Sequence, residues 1–411
     1  MNLFHEELLA RLGELREEGL YRELRRIDSP QGTSALLEGR AVLNFSSNDY
    51  LGLANEPTLR EAAIKAVEKF GVGAGASRLV CGTLGPHAEL EETLAGFKGT
   101  QAAISFSSGY AAAVGTIGAL MDSNDVIVVD KLVHASVVDA ARLCGAKLRV
   151  FGHNNLDDLK KILQWVDKRN QNGVLSNDSR KPRTLIVTES VFSMDGDQAP
   201  LRELVEIKEK YGAWLMLDEA HSAGLYGPKR CGLAEELGVA NRIEVQMGTL
   251  GKAFGAAGGY ICGSRGLVHL LVNRARSFIF STAPVPAAAA AATAGVRYAQ
   301  SPAGEERRQR LWRNVEEIRR GLGSSVTFAS HGDAPAKPSA IMPIMIGAEN
   351  RAMKVAQQLL DKKVLIPAIR FPTVSRGQAR LRLTASAAHS SAQITEMLAA
   401  LRGVLNAGRE K

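Results

Sequence analysis

Met247-Gly248-Thr249-Leu250-Gly251-Lys252-Ala253-Phe254-Gly255, continuing as Ala256-Ala257-Gly258-Gly259, sets one lysine among small residues just after the apolar run Ile243 to Met247. An ammonium is costly to bury without a partner, so Lys252 is not a core residue. The glycines let the backbone approach a bound group closely or take up positive φ. A phosphate-cradling P-loop is excluded, because Gln246 and Ala253 stand where that pattern requires a glycine and a Ser or Thr. Two readings remain: an ordinary exposed lysine in a glycine-rich loop, or a lysine kept reactive for carbonyl and Schiff-base chemistry.

The surrounding chain has 411 residues, enough for two or three domains' worth of core or for one large domain with an appendage, and its 45% hydrophobic and 23% charged content is that of a soluble globular protein. Cys81, Cys144, Cys231 and Cys262 are scattered without a C-x-x-C pair, so no disulfide framework and no metal site is expected. A reduced, cytoplasmic setting follows. The acidic start, His5-Glu6-Glu7, lacks the apolar segment of a signal peptide. The Ala-rich stretch after Pro286 is too short and too rich in alanine to span a bilayer, so no membrane association is expected. The net charge of +8 is spread along the chain and aromatics are only 5%, so no stacking platform for nucleic acid is visible.

In chain order, residues 3 to 26 read as an amphipathic helix with Leu8, Leu12, Leu15, Leu20 and Leu24 on one stripe. Val42 to Phe45 reads as a short strand, and Gly71 to Gly85 as a loop shaped by its backbone. Strand-like runs then recur at Ala102 to Phe106, Val126 to Val129, Leu148 to Phe151, Leu185 to Val187, Trp214 to Leu217, Ile243 to Met247 and Tyr260 to Cys262. Helical patterns separate them at Pro86 to Phe97, Tyr110 to Met121, Asn155 to Asp167 and Pro200 to Tyr211. This alternation predicts an α/β sheet covered on both faces. Gln171 to Arg183 reads as a polar surface loop, and the segment from about Ser301 onward as a smaller α+β domain.

Function in such sheets collects at the carboxyl ends of the strands. Trp214 to Leu217 ends in Asp218-Glu219-Ala220-His221, letters shared with the DEAH box of helicases. A motor ATPase also needs a G-K-[ST] loop, and the chain has none. Ser107-Ser108-Gly109-Tyr110 opens a helix of small residues, either a plain serine cap or a phosphate seat. His134 follows the run Val126 to Asp130, and Ser193 lies in the stretch after Leu185 to Thr188. Each signal is ambiguous alone. Their order along one α/β domain suggests pyridoxal 5'-phosphate (PLP), served by a Schiff-base lysine, a carboxylate for the pyridine nitrogen and a helix start for the phosphate.

The chain also resembles the α-oxoamine synthases, PLP enzymes of the aspartate-aminotransferase fold. The resemblance is carried by Asn44 to Leu53, Val191 to Asp197, Asp218 to His221, Gly248 to Gly255 and Ala368-Ile369-Arg370-Phe371-Pro372-Thr373-Val374. The last of these is most similar to the biotin-pathway member. The resemblance implies a large, mostly parallel sheet domain with a smaller C-terminal α+β domain. Its expected divisions are an N-terminal helix and strand arm (1–50), a PLP-binding domain (51–285) and a C-terminal domain (286–411).

By the same resemblance, Lys252 bonds the cofactor and moves protons, Asp218 pairs with the pyridinium nitrogen and His221 with the phenolic oxygen. His134 would stack on the ring, Gly109, Tyr110 and Thr249 would lie near the phosphate, and Ser193 near the cofactor. Arg22, Asn48 and Thr373, with His134, would face substrate. The implied reaction is decarboxylative condensation of L-alanine with a pimeloyl thioester, on CoA or a carrier protein, in a homodimer. Glycine C-acetyltransferase, 5-aminolevulinate synthase and serine palmitoyltransferase use the same machinery on other substrates, and a non-catalytic scaffold of this fold is the alternative of a different class. Departures from the family pattern at Ser277, Pro284-Val285-Pro286, Phe371, Ser375 and Ser222-Ala223 bear on substrate rather than on the chemistry.

Overall fold

A computed structural model describes residues 2–171, 181–323 and 338–407. The chain divides into two compact units: residues 48–312 with 330–339, and a smaller one from residues 1–47, 313–329 and 340–411. The first strands of the smaller unit are β1 (Ser34–Leu37) and β2 (Arg40–Asn44), an antiparallel pair.

The larger unit holds a seven-stranded sheet. Its strands are β3 (Ala102–Phe106), β4 (Val126–Asp130), β5 (Lys147–Phe151), β6 (Thr184–Glu189), β7 (Trp214–Asp218), β8 (Val245–Thr249) and β9 (Gly259–Gly263). Their order is β3-β9-β8-β7-β6-β4-β5, with β9 alone antiparallel to its neighbours. Every residue of β4 is buried. A parallel sheet with helices on both faces needs such continuous apolar runs. All seven strands and the four helices expected from the alternation are present, within a few residues of the expected ends.

Helix packing explains one departure from the family pattern. A Cβ built on Gly115, in the helix Gly109–Leu120, would come within 2.3 Å of Ser277 Oγ. Ser277 in turn donates to the Ala111 carbonyl at 2.6 Å. Ser277 therefore seats one helix against another, and no substrate need be invoked for it. Ser222 is likewise internal, its hydroxyl 2.8 Å from that of Ser190.

The chain returns to the smaller unit with β10 (Ile341–Gly347), β11 (Val364–Leu365), β12 (Ala368–Ile369) and β13 (Ala379–Thr384). β11 pairs in parallel with β2, and β10 and β12 flank β13. His389 completes the join: its Nε2 lies 3.0 Å from the Asn44 carbonyl and its ring stacks on Phe45 at 3.9 Å.

These contacts revise the expected boundaries at 50 and 285. The N-terminal arm has no partner sheet of its own, so β2 is completed by a strand from the far end of the chain. The helix Pro286–Gln300 belongs with the larger unit, because its buried face of Ala289, Ala292, Thr293, Gly295 and Val296 packs on the helices Pro57–Phe70 and Gly85–Lys98. The N-terminal helix is also shorter than expected, Leu3–Glu17, and buries no residue. Gly19 at φ 67° breaks it, leaving Leu20 and Leu24 outside and Leu24 fully exposed. The expected polar loop from Gln171 to Arg183 lies largely outside the described residues. No described helix is long and apolar enough to cross a membrane.

Candidate active site

The site forms where β6, β7 and β8 end side by side. Strand alternation decides which acid of the Asp218-Glu219 pair serves it. Glu219 is fully buried against Lys98 and also accepts from the Ala234 N–H, so it is committed to the packing of the unit. Asp218, the last residue of β7, accepts the Ala220 N–H at 2.9 Å and makes no ion pair among the described residues. Burial pushes its carboxyl above the usual range, against the pull of Lys252 and His134. A buried anion with no bonded cation is costly. The protonated ring nitrogen of a pyridine is a partner of the right charge and shape for it.

Lys252 follows β8 by three residues. Its Nζ lies 2.8 Å from His221 Nε2, and His221 Nδ1 lies 2.5 Å from the Tyr50 hydroxyl. Tyr50 is 1% exposed and its hydroxyl also reaches Asn48 Oδ1 at 3.3 Å. The lysine is thus aimed by a buried chain of polar groups beginning at Asn48. Such chains fix side-chain rotamers because every unpaired member would cost free energy.

The start of the helix Gly109–Leu120 could hold an anion. Ser108 caps it by accepting the Ala111 N–H at 3.1 Å, while the N–H groups of Gly109 and Tyr110 have no partner among the described residues. Thr249, the last residue of β8, lies beside this turn: its Cβ would be 3.8 Å from a Cβ built on Gly109. On Gly259 a Cβ would strike the Ser108 carbonyl and the Gly109 nitrogen within 2.6 Å, so only glycine lets β9 pass under the seat. A phosphate fits free N–H groups at the positive end of a helix. The Tyr110 side chain points elsewhere, its hydroxyl on Asp139 at 2.9 Å, so Tyr110 offers the seat only its backbone.

His134 caps the helix Ala135–Leu143, accepting the Ser136 N–H on Nδ1. Although the residue is exposed overall, desolvation lowers its pKa, with Lys252 adding and Asp218 opposing. The ring is therefore neutral near pH 7, as suits stacking on a heteroaromatic system. Ser193 donates its N–H to Glu189 Oε2 at 3.1 Å.

Glu189 is the residue the sequence reading missed. It ends β6 beside Asp218 in register, is 3% exposed, and its Oε1 has no hydrogen-bond partner. Burial and then the Asp218 charge raise its pKa, so it resists ionisation next to its neighbour. The signal that marked Asp218, an acid closing a buried strand, also marks Glu189. Tyr50 was missed too, though it lies within a motif singled out from the sequence.

Arg22, Arg370 and Thr373 lie in the smaller unit. Arg22 and Thr373 are exposed. Arg370 is 9% exposed, donates to the Tyr21 carbonyl at 3.1 Å, and leaves its Nε without a partner. The two arginines are therefore neighbours within that unit.

Residues 40–401 match the sequence profile of aminotransferases of class I and II. An 8-amino-7-oxononanoate synthase of Geotalea daltonii is 44% identical over 404 residues, 98% of each chain. That of Geobacter sulfurreducens is 45% identical over 394 residues, 96% of each. The chain belongs to this family, on its α-oxoamine synthase branch. Solved α-oxoamine synthases overlay it closely. A serine palmitoyltransferase of S. paucimobilis with a bound PLP–myriocin aldimine matches at TM-score 0.89 and 30% identity over all of both chains. The 8-amino-7-oxononanoate synthase of Francisella tularensis matches at TM-score 0.72 and 26% identity, over 90% of this chain and 99% of that one.

Proposed function

We propose that this chain binds PLP and condenses L-alanine with a pimeloyl thioester, on CoA or a carrier protein, giving 8-amino-7-oxononanoate, CO2 and the free thiol. The observation that carries it is the convergence of Lys252, His221 and Asp218 at adjacent strand ends beside an open helix start. Relatives of that name at 44–45% identity over nearly the full chain support the choice of substrates. When bound, PLP supplies the electron sink for the pair left at the amino acid's Cα.

The chain's residues do the rest. The N–H groups of Gly109 and Tyr110, with Thr249, would hold the phosphate, and Asp218 would keep the ring nitrogen protonated. His134 would cover the ring, with Ser193 beside it. His221 would meet the phenolic oxygen. Lys252 Nζ, aimed by the Asn48–Tyr50–His221 chain, takes the Cα proton and returns one after CO2 leaves. Asn48 and Thr373 are proposed as substrate contacts. The four scattered free cysteines fit a cytoplasmic enzyme.

The test is amino-acid titration of the PLP-loaded protein followed by absorbance, with pimeloyl-, acetyl- and palmitoyl-CoA compared as partners. Preference for pimeloyl-CoA with alanine is expected. Preference for acetyl-CoA, or for palmitoyl-CoA with serine, would overturn the substrate assignment while leaving the branch intact.

A pimeloyl chain ends in a carboxylate, and a guanidinium grips both its oxygens. Arg22 is proposed for that contact, since it is exposed and Arg370 is already engaged with the Tyr21 carbonyl. One charge-assisted hydrogen bond is worth roughly 1.5–3 kcal/mol, so Arg22→Ala should raise the KM for pimeloyl-CoA about ten- to a hundredfold. The KM for alanine should not change. An unaltered pimeloyl-CoA KM would remove Arg22 from the site.

The enzyme is also proposed to work as a two-fold homodimer, with the 71–85 segment contributed across the subunit boundary. Val72, Leu79 and Val80 are 78%, 54% and 78% exposed, more apolar surface than a short segment ordinarily leaves in water. Sedimentation should give twice the chain mass. A fully active monomer would contradict it.

A further inference from the structure

One buried imidazole takes no part in the chain of groups around Lys252. His153, two residues past β5, is held on both sides: Nδ1 lies 2.9 Å from Asp130 Oδ1 and Nε2 lies 2.7 Å from Asp197 Oδ2. Its side chain is 7% exposed, and the Phe192 ring meets it edge-on at 4.4 Å. An ionised carboxylate only accepts hydrogen bonds, so both ring nitrogens must carry hydrogen and the ring is a cation.

The two carboxylates belong to different arms of the site. Asp130 ends β4 and also accepts the Leu132 N–H at 2.8 Å, shaping the turn that leads to His134. Asp197 lies in a hairpin-like turn closed by the Val191–Gln198 bridge, with the Phe192 N–H donating to the Asp197 carbonyl. Ser193 is on that turn. Asn154 repeats the link, its backbone N–H on Asp130 Oδ2 at 2.8 Å and its amide on Asp197 Oδ2 at 3.0 Å.

We propose that His153 is a positioning residue, the cation that fastens the Ser193 turn to the strand end leading into His134, and so sets the spacing of two residues assigned to the cofactor. This rests on the assignment of His134 and Ser193 given above.

The device has a pH range. Burial alone lowers the imidazole, but hydrogen bonds and charge from Asp130 and Asp197 overcome it and raise its pKa to about 9. Asp130 faces it from β4 and Asp197 from the turn, while Phe192 and Asn154 are neutral. Because the folded value exceeds the ordinary one of about 6.5, the fastening is complete below that and is lost as pH rises through about 9. Deprotonation leaves one ring nitrogen as an acceptor facing a carboxylate, so the turn is held only by the remaining imidazole N–H and by Asn154.

The test uses histidine-labelled full chain, read by NMR with and without PLP, together with the PLP dissociation constant as a function of pH. His153→Gln identifies the signal among the eight histidines and should weaken PLP binding about ten- to a hundredfold, as loss of one charged hydrogen bond would. Asp197→Asn removes one anion but keeps the chain's other contacts to Asp130. In the wild type the His153 ring should stay protonated to pH 8 and titrate near 9, in the apoprotein as well. In Asp197→Asn its transition should fall by about one unit or more, and the alkaline loss of PLP affinity should move down with it. A wild-type His153 titrating near its ordinary value overturns the proposal. So does a PLP affinity whose pH profile ignores the shift in His153. Failure of the wild type to bind PLP at any pH would instead sink the functional assignment.

Discussion

Lys252→Ala should bind PLP without a covalent link and lose turnover by at least about 10⁴-fold. The estimate follows from geometry. A tethered, oriented base corresponds to an effective concentration of roughly 10⁵ M or more, which no solvent species supplies. In this site the orientation is specific: the Nζ is held at 2.8 Å by His221, whose other nitrogen is held by Tyr50. Two readouts separate chemistry from folding. Reduction with borohydride followed by mass measurement should fix PLP to the wild type and not to the variant, while circular dichroism should be unchanged. A variant that still traps PLP at another lysine, or retains turnover, would show that Lys252 is not the reactive amine.

Asp218→Asn should retain PLP, lower turnover by at least about 10²-fold, and stabilise the cofactor-free protein. The first effect arises because a neutral pyridine takes up a carbanion's electrons poorly, and a preorganised charge aimed at the developing charge is commonly worth that much. The second follows from the direction of the pKa shift. Burial raises the Asp218 carboxyl above its ordinary value in the folded chain, so ionisation at neutral pH costs folding free energy. That cost is present above the folded pKa and vanishes in acid, where the group is protonated in both states. Asn carries no charge to bury, so the apoprotein's melting temperature should rise at pH 7 and the gain should shrink as pH falls. PLP should narrow the difference by giving the wild-type anion its cation. Near-normal turnover in the variant would make Asp218 a packing residue, and a lower apoprotein melting temperature would show that its charge is compensated within the chain.

The glycine-rich stretch around Lys252, the acid closing β7 and the small-residue helix after Ser108 were legible from the sequence because each is local. A strand's two-residue period and a helix's free N–H groups are properties of a few consecutive residues. The same locality explains why all seven strands of the large sheet could be read from their apolar runs. It also explains the errors: the leucines of the N-terminal segment have helical spacing, but spacing alone does not say whether anything covers them, and the helix ends at Glu17 with no buried residue.

What the tertiary structure decided is which distant groups meet. Tyr50 and His221 are separated by 171 residues, Lys98 and Glu219 by 121, and His153 and Asp197 by 44. No period in the sequence records such pairings, because they are set by the order of strands in the sheet and by the turns at their ends. By itself the sequence determined the alternating α/β framework, and it singled out Lys252, Asp218 and the helix start after Ser108 as candidates at its strand ends. Only the folded chain decided that Glu219 is spent on Lys98 while Asp218 makes no ion pair among the described residues, and that β2 is completed by β11 from the far end of the chain. The physical reason is the same in each case: a buried polar group or an open strand edge must be satisfied, and its partner is whichever group the topology brings within reach.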